Sequence, residues 1–217
     1  MDQQITVLPG GPGLDADLHL APGARGIVVF VHGSGSSRRS ARNILVAREL
    51  QQAGLGTLLF DLLTSQEERR DAVDASLRFD IGFLTDRLTA VVDEVVARPQ
   101  LAGLPVGLFG ASTGAAAALG TAAARPGVVL SVVSRGGRPD LAASALSGVR
   151  APTLLLVGSL DTKVIAFNEQ AAAQLPAEHQ LSIIPGATHL FSEPGTLEEA
   201  ARQAAAWFSR TLPPAPG

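Results

Sequence analysis

Short β-branched runs alternate with longer stretches of helical periodicity along most of this chain. Residues 26–31 (GIVVFV) are continuously apolar at strand length, the pattern of a parallel strand buried on both faces. Residues 41–53 follow with helical spacing at Ile44, Leu45, Arg48 and Leu50, and Gly54 predicts the stop. A second strand is expected over 55–60, closed by Asp61. Residues 62–79 are polar and mixed, and their charge run from Glu67 to Asp71 reads as a solvated loop. A long amphipathic helix is expected over 79–98, ended by Pro99.

The second half repeats the alternation. Strands are expected at 106–109, 128–134, 153–158 and 180–184, with helices at 115–125, 165–175 and 195–210. The last helix buries Leu197, Trp207 and Phe208. Near the start, residues 14–20 alternate apolar and polar, which suits an antiparallel edge hairpin with residues 5–8. This order predicts an α/β architecture, a mainly parallel sheet with helices on both faces. There is no internal repeat and no interior linker of domain-boundary composition. One domain over 1–212 is expected, with a flexible proline-rich tail at 213–217.

Composition narrows the function classes. The chain has 217 residues, 46% of them hydrophobic, enough for one buried core. Its 17 basic and 20 acidic side chains leave a net charge of −3, which argues against a nucleic-acid surface. The absence of cysteine excludes disulfides, thiolate metal sites and a cysteine nucleophile. The start lacks a signal-peptide pattern and no apolar run is long enough to span a bilayer, so a soluble, cytoplasmic protein is expected, with no membrane partner. His19, His32, His179 and His189 are scattered without metal-ligand spacing, so no metal is expected. No glycine-rich loop follows a dinucleotide or Walker pattern, and no cofactor is expected.

In such a sheet, ligands bind beyond the carboxyl ends of the strands. After the strand at 106–109 comes Gly110-Ala111-Ser112-Thr113-Gly114, then a helix of small residues. A serine on so sharp a strand-to-helix turn needs glycine two residues to either side, because a Cβ there meets neighbouring backbone. Asp161 follows the strand at 153–158 and His189 follows the strand at 180–184. The order Ser112, Asp161, His189 suits a nucleophile, an orienting acid and a general base. Asp161 as a helix N-cap and His189 as a plain loop residue are the alternatives. Asp140 is a rival acid. The backbone N–H groups of Thr113 and Ser34 are candidate oxyanion donors, the second from the loop His32-Gly33-Ser34-Gly35-Ser36-Ser37. His32 is expected to brace that loop rather than transfer protons.

Residues 30–37 (FVHGSGSS), the 110–114 elbow, 157–161 (VGSLD) and 185–191 (PGATHLF) resemble the dienelactone-hydrolase-like branch of the α/β-hydrolases, over about residues 25–210. That resemblance implies the α/β-hydrolase fold with little or no cap domain. Dienelactone hydrolases proper use a cysteine nucleophile; Ser112 in its place tilts the reading toward a serine hydrolase of small, soluble carboxylic esters or lactones. A thioesterase needs only a different pocket, and a non-catalytic binding domain is the rival class. Residues 62–78 are short and charged, unlike an apolar lipase lid. Arg135 and Ser36 are candidates for substrate binding. Arg135 and Arg138 are alternatively structural, paired with Asp140 or a nearby acid, and Arg38 and Arg39 are read as structural in the same way. A monomer or small homo-oligomer is expected.

Overall fold

Among the described residues, eight strands form one sheet in the order β1-β2-β4-β3-β5-β6-β7-β8. They are β1 (Asp2–Val7), β2 (Leu14–His19), β3 (Ile27–Val31), β4 (Gly56–Phe60), β5 (Val106–Ala111), β6 (Val129–Arg135), β7 (Thr153–Gly158) and β8 (His179–Ile184). The computed structural model describes residues 2–8 and 11–214. Pro213 and Pro214 of the expected tail are exposed and without regular structure, while 215–217 lie outside the described residues. Strands β3 to β8 run parallel, and the β1–β2 hairpin pairs antiparallel with itself and with β4.

Among the described residues there are six α-helices: α1 (Ala41–Gln52), α2 (Ser65–Asp74), α3 (Ile81–Ala97), α4 (Thr113–Ala124), α5 (Thr162–Ala172) and α6 (Thr196–Thr211), the last following β8. Alternate side chains of each central strand feed opposite cores. Ile27, Val29 and Val31 of β3 join Leu108 of β5, Leu88 and Val92 of α3 and the alanines of α4. Val28 and Phe30 join Phe109, Leu50 of α1 and Trp207 and Phe208 of α6. Helices α1 and α6 therefore cover one face, and α3 and α4 the other. Helix α4 is small-residue throughout, with Ala115 to Leu119 fully buried, so it lies close against the sheet.

Two elements depart from the sequence expectation. The charge run at 67–71 is part of a helix, α2, rather than a loop. Thr64 caps it through a reciprocal box: its Oγ1 accepts from the Glu67 amide at 3.2 Å, and the Glu67 carboxylate accepts from the Thr64 amide at 2.8 Å. Arg87 of α3 holds the same carboxylate at 2.5 and 2.8 Å, and this pairing brings the Glu67 pKa down to about 2. Asp71 is buried beneath the helix and accepts from the amides of Leu77 and Arg78 and from the Arg78 guanidinium. Satisfied charges thus take the place of an apolar stripe. The second departure is a kinked 3-10 segment, Pro139–Gly148, broken at Ala143 and packed on α4 through Leu146.

Replacing Thr64 by Ala should cost about 1 kcal/mol, the usual worth of an N-cap. Hydrogen exchange should show the loss as faster amide exchange confined to residues 65–74.

Candidate active site

The chain reverses its travel across the sheet after β4, because β5 pairs with the opposite edge of β3. A crevice opens at such a reversal beyond the strands' carboxyl ends. Ser112 stands there between β5 and α4, with φ 50° and ψ −122°. A non-glycine residue in this conformation stores roughly 1–3 kcal/mol of strain. A Cβ on Gly110 would lie 2.5 Å from Ala115 Cα, and one on Gly114 would lie 2.3 Å from the Val31 carbonyl oxygen. Both flanking glycines are therefore sterically required.

Ser112 occupies the N-cap position of α4, yet its side chain makes no capping bond. Its Oγ instead lies 3.3 Å from His189 Nε2. Asp161 likewise occupies the N-cap position of α5 without capping it, and its Oδ2 lies 2.6 Å from His189 Nδ1. With Nδ1 donating to Asp161, Nε2 is left as an acceptor facing the serine hydroxyl. The His189 loop is pinned to the end of β7. The Leu160 amide donates to the Ala187 carbonyl at 3.0 Å, and a Cβ on Gly158 would lie 2.3 Å from that same oxygen. Glu193 accepts from both the amide and the hydroxyl of Thr188, at 3.0 and 2.7 Å. Asp140 is engaged elsewhere, in a two-pronged pair with Arg138 at 2.8 and 2.7 Å.

Thr113 is the first residue of α4, where an amide has no intrahelical acceptor. The Ser34 amide donates to Thr113 Oγ1 at 3.0 Å, tying the loop after β3 to the elbow. His32 braces that loop from below. It is 7% exposed, its Nδ1 donates to the Gly33 carbonyl at 2.9 Å, and its Nε2 accepts from the Leu62 amide at 3.0 Å. Burial pushes its pKa down, against the opposing pull of the Gly33 carbonyl and Asp61. Arg38 is structural: it pairs with Asp61, Asp15 and Asp17. Arg39 is exposed and has no ion pair among the described residues.

Arg135 does not form the ion pair of its alternative, structural reading. It ends β6, and its guanidinium reaches only Asn43 Oδ1, at 3.4 Å, and the Phe191 ring, 5.6 Å from its centroid. Burial, reinforced by nearby Arg42, lowers its pKa to about 10, so it remains a cation at neutral pH. A cavity of about 230 Å³ brings Ser34, Ser36, Ser112, Arg135 and His189 together. Arg42 and Asn43 line it too and were not singled out in the sequence. The available signal was Arg42 in the first turn of a helix, where the dipole disfavours a cation. A larger cavity of about 520 Å³ shares Ser34, Ser36 and Arg42 and runs under α2, past Glu68 and Asp71, without reaching Ser112. Among the described residues no cluster of His, Asp and Glu could hold a metal, and no helix is long and apolar enough to cross a membrane.

Sheet order, elbow and crevice together define an α/β-hydrolase fold. The chain belongs to the dienelactone hydrolase family, whose model matches residues 15–212. It is similar to the crystal structure of a dienelactone hydrolase from Anabaena variabilis, at 54% identity and TM-score 0.96, covering 98% of this chain and 99% of that one. Est1E from Butyrivibrio proteoclasticus, at 15% identity and TM-score 0.75 over 94% and 97% of the two chains, shares the fold. A Mycobacterium tuberculosis protein provisionally named a phosphoribosyl transferase is 53% identical over 208 residues, which are 95% of this chain and 46% of that protein. The chain thus spans about half the length of the curated relatives it matches.

Two measurements test the local account. Ser112→Gly should raise stability by about 1 kcal/mol by relieving strain, read as a higher midpoint in denaturant. For His32, the folded pKa lies below the unfolded value of about 6.5, so the unfolded chain binds the extra proton first. Its contribution is complete above about pH 6.5 and is lost as pH falls, by at most roughly 1.4 kcal/mol per pH unit. Urea titrations between pH 7.5 and 5 should show a steeper decline for wild type than for His32→Gln, which starts less stable.

Proposed function

We propose that this member of the dienelactone hydrolase family is a serine hydrolase of small carboxylic esters or lactones. The observation that carries the reading is the hydrogen-bonded series Ser112, His189, Asp161 at the sheet's reversal point. Ser112 Oγ attacks the ester carbonyl while His189 Nε2 takes its proton. Asp161 fixes the imidazole tautomer and stabilises the imidazolium. The backbone amides of Ser34 and Thr113 hold the oxyanion. As the tetrahedral intermediate collapses, His189 returns the proton to the departing alcohol and an acyl-Ser112 remains. Water, activated by the same imidazole, releases the acid.

A cavity of about 230 Å³ lies below the roughly 300–1,000 Å³ of drug-sized sites, which supports compact substrates. The helix α2, polar and anchored by ion pairs, lacks the character of a lipid-facing lid. The transferase name belongs to proteins more than twice the length of the matched region.

The test is hydrolysis of 4-nitrophenyl esters from acetate to decanoate, with fluorophosphonate labelling alongside. Short esters should be cleaved, the rate falling with chain length. Ser112→Ala should lose label and activity, and Asp161→Asn should lower kcat by about 10³–10⁴-fold. A wild type that neither cleaves nor labels would turn the reading to a non-catalytic binding domain.

A further inference from the structure

Two guanidinium groups beside the Ser112 hydroxyl form no ion pair among the described residues. Arg135 and Arg42 line the cavity that holds Ser112 and His189, and no carboxylate lines it. Arg135 is nine-tenths buried, with Nε and Nη1 unpartnered; Nε of Arg42 is also buried and unpartnered. The remaining sheltered arginines are treated differently. Arg38 meets three aspartates, Arg78 meets Asp71, Arg87 meets Glu67, Arg98 meets Glu94, Arg125 meets Asp93 and Arg138 meets Asp140. Burying a cation without a partner is strongly unfavourable, and placing a second beside it more so.

The backbone adds to the same field. Helix α1 begins at this cavity, and Ser40, Arg42 and Asn43 from its cap and first turn line the wall. A helix amino end carries partial positive charge and exposed amides, which suit an anion. Hydroxyls of Ser36 and Ser40 supply further donors. Two full charges and a helix terminus exceed what one planar carboxylate neutralises; they suit a dianion with three acceptor oxygens.

The geometry points to a phosphoryl subsite: the substrates are esters carrying a phosphate or phosphonate dianion a short distance from the scissile carbonyl, held by Arg135 and Arg42. The phosphoryl group is a spectator. Only the acyl C–O bond breaks, with the proton transfers already described, and every P–O bond stays intact. This rests on the serine hydrolase reading.

Two experiments separate the subsite from that reading. In Ser112→Ala, which needs no turnover, inorganic phosphate at tenfold its Kd should raise Tm by about 3–6 °C. Adding Arg135→Met or Arg42→Gln should abolish the rise; Arg42, partly exposed, carries the test if the Arg135 variant does not fold. In the second, wild type is given 4-nitrophenyl esters of pentanoic acid, glutaric acid and 4-phosphonobutyric acid, which share one chain length. The phosphonate should exceed both others in kcat/KM by about tenfold or more, and either arginine variant should bring its ratio to pentanoate near one. A flat Tm response, equal rates for phosphonate and pentanoate, or a glutarate preference would each overturn the subsite. A phosphate-dependent Tm rise with no ester cleaved would overturn the hydrolase reading and leave the subsite standing.

Discussion

Where the sheet reverses direction, two backbone segments occupy space that ordinarily separates side chains. The Gly114 backbone approaches the Val31 carbonyl so closely that no Cβ fits between them. The rest of the site is built outward from that contact. It brings the loop after β3 within reach of the elbow, so that the Ser34 amide meets Thr113. It also forces the turn that strains Ser112, and it explains an alanine-rich α4, since bulkier side chains would hold the helix off the sheet. The same device recurs where Gly158 admits the Ala187 carbonyl of the loop that carries His189. Ser112, Asp161 and His189 come from three loops, but their mutual distances are set by backbone packed on backbone.

Charge is arranged with equal economy. Arginine is nearly the only cation, and most of the sheltered guanidiniums serve as joints: Arg38 locks the loop after β3 to the edge hairpin, and Arg87 locks α2 to α3. A planar fork suits this role, since one side chain can hold several acceptors at fixed angles. Against that background, Arg135 and Arg42 stand out by what they lack. Arg135 has an aromatic and an amide neighbour, Phe191 and Asn43, in place of acids.

Periodicity made the parallel strands legible because burial on both faces leaves continuous apolar runs, as at 26–31. The elbow and the order of Ser112, Asp161 and His189 were legible because the turn demands glycine at fixed positions. Helix α2 was missed for a physical reason: it is held by a capping box and ion pairs rather than by an apolar stripe, so hydrophobic periodicity has little to detect. The Thr64-to-Glu67 spacing was its one local sign. The 3-10 segment at 139–148 was missed because its kink at Ala143 breaks any single period. Whether Arg135 pairs with an acid is a question of three-dimensional neighbours, and no spacing in the chain could answer it.

The bond from the Ser34 amide to the Thr113 hydroxyl means that, in the proposed mechanism, the anion-binding donor is already engaged before substrate arrives. A neutral ester carbonyl is an acceptor of about the same strength as a hydroxyl and gains little by displacing it. An alkoxide is far stronger and takes the amide readily. The resident hydroxyl therefore acts as a competitor that only developing charge can outbid. On the proposed mechanism it would withhold stabilisation from a bound ester and release it at the barrier, which is where stabilisation accelerates a reaction.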